Sequence, residues 1–240
     1  MKNNYLMDLH THSVLSKHAF SSLTENIEYA QSIGLKYLGV SEHQYDSVGI
    51  GSNPLVYNVL QRVIPNEYKG MRVLKGMELN ICDRHFEVEK YGDMSNCDYT
   101  IASMHGYAYS FEHSEKENTD NYIMACNTPY VTILGHMDAR RYMADFDAVV
   151  KEAAKNNKLI ELNESSIYPK TTRKGARELD YQILKACVKY SCPIILDSDA
   201  HIKYDIGQLD SGFELLTEIN FPEELVVNLN PELLKKYIKI

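Results

Sequence analysis

The chain has 240 residues, of which 44% are hydrophobic and 24% charged, and a formal net charge of −8 with histidine neutral. That length supports one substantial core, read here as a single domain over residues 1–240. The acidic balance argues against a protein that grips extended nucleic acid, which needs basic patches to displace counterions, and no apolar run approaches the ~20 residues of a membrane span.

Tyr5-Leu6-Met7 runs into Asp8-Leu9-His10 as a first strand. Thr24 to Ser32 reads as a helix, with Thr24 as its N-cap and Gly34 just past its end. A second strand, Tyr37 to Val40, leads into a mixed loop containing Gly49, Gly51 and Pro54. Arg72-Val73-Leu74 opens a third strand and Tyr99 to Ala102 a fourth; a weaker helical segment covers Asp120 to Cys126. Val131 to Leu134 is a fifth strand, Asp145 to Asn156 a helix, Leu159 to Leu162 a sixth strand, Arg177 to Tyr190 a helix, and Pro193 to Leu196 a seventh strand. Short helical stretches follow from Ser211, with Pro231 suited to the first turn of the last. Strands alternating with helices predict an α/β fold with parallel strands. Periodicity does not decide between a closed barrel and an open sheet.

The cysteines Cys82, Cys97, Cys126, Cys187 and Cys192 form no CxxC pair and suit free thiols in a reducing compartment. Asp8 and His10 follow the N-terminal Met so soon that no signal peptide is expected. A cytoplasmic location is expected.

The informative pattern is where the histidines fall. His10 and His12 follow the first strand, His43 the second, His105 the fourth and His136 the fifth; Glu78 ends the third, and Asp199 with His201 follows the seventh. In parallel α/β proteins the carboxyl ends of the strands form the face that carries the site. Imidazole and carboxylate there suit zinc, iron or manganese. One His-x-His pair is weak, since about 0.3 such pairs are expected by composition; with His18, which follows a little beyond His12, seven of nine histidines at or beyond strand ends are not explained that way. His85 and His113 fall outside the pattern and read as solvated loop residues. Asp8 is read either as a carboxylate supporting His10 or as a solvent-facing strand start. Arg173 or Lys174, in the loop after the sixth strand, could bind a phosphate or a substrate carboxylate, Arg being the better bidentate partner.

The run Asp8-Leu9-His10-Thr11-His12, then His18, then Ser41-Glu42-His43, with Glu78, His105, His136 and the Asp199–His201 pair in order, resembles the PHP superfamily, named for polymerase and histidinol phosphatase. The similarity runs from Asp8 to the Asn228–Pro231 region, nearest to the small stand-alone phosphatases with a trinuclear metal site. The resemblance implies a distorted TIM-like barrel of seven strands and seven helices. It also implies three divalent ions, zinc, manganese or iron. His10, His12, Glu78 and Asp199 would hold the first; Glu78 would bridge to a second with His105 and His136; His18, His43 and His201 would hold the third. The activity it implies is hydrolysis of a small phosphomonoester, histidinol phosphate being the family's best-known substrate, by a metal-bound hydroxide. Glu78 and Asp199 would serve at the reacting centre, Asp199 or a metal-bound water protonating the leaving group. Alternative readings are a phosphodiesterase or nuclease acting on nucleotides or DNA ends, a hydrolase of carbon–nitrogen bonds, and a metal-binding regulatory module without turnover.

Overall fold

In chain order the strands are β1 (Met7–Asp8), β2 (Tyr37–Val40), β3 (Glu67–Tyr68), β4 (Met71–Lys75), β5 (Glu78–Cys82), β6 (His85–Phe86), β7 (Ile101–Ser103), β8 (Ile133–Leu134), β9 (Leu159–Asn163) and β10 (Ile194–Asp197). The helices are α1 (Leu23–Ser32), α2 (Pro54–Val63), α3 (Glu115–Asn127), α4 (Phe146–Lys155), α5 (Glu164–Ile167), α6 (Ala176–Tyr190), α7 (Asp210–Glu218) and α8 (Pro231–Leu234). They come from a computed structural model that describes residues 6–44, 54–83, 85–86, 94–106 and 113–238. Tyr5 of the expected first strand, and Gly49 and Gly51 of the expected loop, lie outside the described residues.

Parallel pairing dominates, as the alternation of strands and helices predicts, but the strands form two sheets. One has the order β1-β2-β4-β3 and the other β10-β9-β8-β7-β5-β6, with only β3 and β6 antiparallel. Single bridges join them at both seams, Thr11 to Ala200 and His43 to Glu78. Asn228 reinforces the first seam: its amide accepts from Leu196 N and donates to Met7 O and Leu196 O. Met7, Leu74, Ile101, Ile133, Leu159 and Ile195, one from each of six strands of the two sheets, share one apolar cluster with Val227 and Leu234 of the tail. Most of these stand at the starts of their strands, so the tail closes that end and leaves the carboxyl ends for chemistry. A larger cluster packs the helices against the outside of the sheets. No described helix is long and apolar enough to cross a membrane.

Several local expectations change. The N-cap of α1 is Ser22, not Thr24: Ser22 Oγ accepts from Glu25 N, and the Glu25 carboxylate accepts from Ser22 N, a complete capping box. Ser114 and Glu117 form the same box, so α3 starts five residues before the expected Asp120. Pro54, expected in a loop, begins α2, where its missing N–H has no intrahelical partner to lose. Glu78 does not end the third strand. The chain leaves the first sheet after Lys75, crosses at Gly76-Met77 and enters the second sheet with Glu78 as the first residue of β5. Gly76 permits the crossing because a Cβ there would fall on the Tyr99 ring.

Candidate metal centre

The loops that leave β1, β2, β7, β8 and β10, together with the start of β5, bring nine side chains to one place. His10, His12, Glu78 and Asp199 are buried and set the frame. His10 Nε2 lies 3.4 Å from Glu78 Oε2 and 3.6 Å from Asp199 Oδ1. His12 Nε2 lies 3.6 Å and 3.3 Å from the same two oxygens. Atoms bound tetrahedrally to one ion at about 2.1 Å stand about 3.4 Å from one another. These four of the frame's six edges have the length that one zinc-sized ion requires. His10 Nε2 and His12 Nε2 are buried without a hydrogen-bond partner among the described residues. Buried polar atoms are rarely left so, and a cation would satisfy both.

Three overlapping triads have ligand atoms close enough for an ion: His10–His12–Glu78, His43–Glu78–His105 and His12–His43–His201. His18, His136 and Asp199 adjoin them. His136 Nε2 is 2.9 Å from Glu78 Oε1, His105 Nε2 is 3.2 Å from the same oxygen, His43 Nδ1 is 2.8 Å from Glu78 Oε2, and His18 Nε2 meets His201 Nε2 at 2.7 Å. All four are shorter than the first frame's edges. His136 and Asp199 both sit at positive φ, +26° and +55°, conformations that non-glycine residues seldom adopt and that aim their side chains inward here.

A ring of supporting groups sets which nitrogen faces the centre. His10 Nδ1 donates to Glu161 Oε1 at 2.6 Å, His105 Nδ1 to Asn80 Oδ1 at 2.7 Å, His18 Nδ1 to Ser16 O at 2.6 Å and His201 Nδ1 to Asp199 O at 2.9 Å. The Ser16 hydroxyl donates to Glu42 Oε2 at 2.5 Å, so it accepts from His12 Nδ1 at 3.3 Å. In each case Nδ1 carries a proton and Nε2 is the nitrogen turned inward, the arrangement a metal ligand needs. Glu161 also accepts from His136 N at 2.7 Å.

Neither Glu161 nor Glu42 stands out as a site residue in the sequence. The available signal for Glu161 was a carboxylate in the middle of the apolar run Leu159-Ile160-Glu161-Leu162. Asp8 is fully buried: it accepts from Ser198 N, Ser198 Oγ and Gly207 N, and so fixes the loop that carries Asp199 and His201.

Electrostatics follow from this packing. Burial opposes charge on His10, but Glu161, Glu78 and Asp199 outweigh it and raise its pKa well above the ordinary imidazole value. Burial, with neighbouring His43, pushes His12 well below it. His105 falls to about 4, chiefly through burial. Glu78 and Asp199 are held well below the usual carboxylate range, because the surrounding histidines outweigh their burial.

Of the two expected substrate-binding cations, Arg173 reaches the centre: Nη1 donates to Ser166 Oγ at 2.6 Å, and Nη2 lies 3.5 Å from Asp199 Oδ2. Lys174 points into solvent and makes no side-chain contact with the centre among the described residues. His113 is not a freely solvated loop residue; its Nε2 meets Asp83 Oδ1 at 2.6 Å and its side chain is 11% exposed. His85 belongs to β6 rather than to a loop.

The family model described as PHP domain matches residues 8–165. A Clostridium botulinum protein named "Probable phosphatase" is 35% identical over 98% of this chain and 95% of its own length. A Clostridium novyi protein of the same name is 36% identical, also over 98% and 95%. Among solved structures, the histidinol phosphate phosphatase of Lactococcus lactis, complexed with zinc, L-histidinol and phosphate, is similar in fold, with a TM-score of 0.64 over 91% of this chain and 95% of that one at 18% identity. The chain belongs to the PHP domain family.

Proposed function

We propose that this protein is a metal-dependent phosphomonoesterase acting on a small phosphorylated alcohol. The observation that carries the reading is the frame of His10, His12, Glu78 and Asp199, whose edges of 3.3–3.6 Å suit one divalent ion. Glu78, with one oxygen toward His10, His12 and His43 and the other toward His105 and His136, is placed to bridge to a second ion. His18, His43 and His201 would complete a third. Zinc, manganese or iron all accept such a nitrogen and oxygen set. Ions held there would supply an ionised water at neutral pH and a positive field for a phosphate dianion.

The chain's own residues do the rest. Glu161, Asn80, Ser16 and the Asp199 carbonyl orient the imidazoles, so little reorganisation accompanies binding. Arg173, beside Asp199 and held by Ser166, is placed to grip a phosphate oxygen. Asp199 is ionised, which suits a ligand and leaves it without a proton for the departing alkoxide. A cavity of about 200 Å³, lined in part by Ser165, Tyr168, Ser198 and Gln208, adjoins Asp199 and His201. It suits the alcohol part of a small monoester better than a nucleic acid strand. The two sheets, bridged at both seams around a shared apolar core, are read as a distorted barrel that has opened between strands. The free thiols suit an enzyme of the cytoplasm.

The test combines metal analysis of the purified protein with assays on p-nitrophenyl phosphate, bis-p-nitrophenyl phosphate and histidinol phosphate. Hydrolysis of monoesters, abolished in His10→Ala or Glu78→Ala proteins that remain folded, is the expected result. Bound metal without hydrolysis of any phosphoester would refute it, and faster cleavage of the diester would reassign the substrate class.

A further inference from the structure

Away from the metal centre, on the helix-covered side of the first sheet, a cavity of about 180 Å³ is lined by Gln61, Arg62, Lys75 and Asn96. Gln61 lies in the last turn of α2 and is only 7% exposed. Both its amide atoms, Nε2 and Oε1, are buried without a hydrogen-bond partner among the described residues. An amide so placed has lost water on both its donor and its acceptor and gained nothing in return. The two cations beside it make no ion pair with a described carboxylate. Asp98, the acid nearest in the hydrogen-bond network, has Oδ2 turned to the Lys75 backbone N–H at 2.8 Å. Arg62 by itself is accounted for by its place in the last turn of a helix, where a cation complements the dipole. That explanation reaches neither Lys75, on a strand, nor the bare amide of Gln61.

We infer that this cavity is a binding site for a small oxyanion, with Arg62 and Lys75 supplying charge and the Gln61 and Asn96 amides supplying hydrogen bonds. Among the described residues the lining has two cations, two amides and no acidic side chain, which selects a phosphate or carboxylate group on a molecule whose net charge of −8 otherwise repels anions. The Gln61 oxygen favours a ligand that also carries a hydroxyl or amino donor. The space is several times that of one water, enough for a phosphate or a short dicarboxylate. The site shares no lining residue with the metal centre, although Lys75 precedes Glu78 by only three positions.

Calorimetric titration of the metal-loaded protein with inorganic phosphate and, separately, with malonate tests the inference and distinguishes the two chemistries. At least one of them should show a binding event that weakens about tenfold or more in Arg62→Gln/Lys75→Gln, as loss of charged hydrogen bonds entails. The same event should weaken in Gln61→Leu, which leaves the charge unchanged and so separates a built site from general attraction. Hydrolysis of p-nitrophenyl phosphate should be the same in all three proteins, whether or not that activity is high. Binding of both anions unaltered by the substitutions, weakening by the charge change alone, or no binding event outside the metal centre would each overturn it.

Discussion

Glu161 makes the strongest single test of how the centre is held. Its carboxylate accepts from three donors at once, His10 Nδ1 at 2.6 Å, His136 N at 2.7 Å and Asn163 Nδ2 at 3.2 Å. Glu161→Gln keeps the shape but replaces one acceptor oxygen with an NH₂ group. The His136 backbone N–H cannot change its role, so the remaining carbonyl stays with it and the new NH₂ faces His10. His10 must then move its proton to Nε2, the atom that faces Glu78 and Asp199, or leave two donors in contact. Losing a hydrogen bond to a charged group costs about 1.5–3 kcal/mol, and a change of this kind lowers metal affinity about 10- to 100-fold. The two figures agree, since tenfold corresponds to about 1.4 kcal/mol. Competition with a calibrated chelator measures the affinity directly, and circular dichroism with thermal unfolding checks that the variant is folded. A folded Glu161→Gln protein that binds metal within twofold of the wild type would refute the assignment of the Nδ1 proton and the role given to Glu161.

Metal uptake should release protons. His10 and His43 are both held above the ordinary imidazole value, burial being outweighed by neighbouring carboxylates, whereas Glu78 and Asp199 are already ionised. Protons on His10 and His43 compete with the ion, so affinity should rise with pH through and beyond the usual histidine range; titrations in buffers of different ionisation enthalpy should show release of about one proton or more per ion near neutral pH, and affinity constant from pH 6 to 8 would contradict it. In the core, Gly39→Ala should destabilise the fold by about 3 kcal/mol. Its Cβ would fall on the Tyr99 hydroxyl and within 2.7 Å of the Leu9 backbone, neither of which can retreat, because Tyr99 donates to Leu9 O. Urea unfolding measures the loss, and a change below about 0.5 kcal/mol would show that the packing there is looser than described.

Residue chemistry and strand periodicity were enough to place most of the centre. Histidine and carboxylate are the groups that bind such ions, and a parallel strand delivers whatever follows its carboxyl end to one face. His10, His12, His43, His105, His136, Asp199 and His201 are legible for that reason, and the α/β class with its parallel strands follows from the alternation of elements. What the sequence could not convey depends on neighbours far along the chain. Glu161 becomes a supporting residue only because β9 lies beside β8 and presents its carboxylate to His10 and to the His136 backbone, 151 and 25 positions away. Glu42 acts on His12 only through Ser16, and Lys174 differs from Arg173 only in which way the loop turns. Glu78 reads as a strand end until the crossing at Gly76 shows it opening a strand in the other sheet, a change set by the room that Tyr99 leaves there. Local pattern determined which residues could bind a metal; the pairing of distant strands decided which of them meet, which nitrogen each turns inward, and what holds it so.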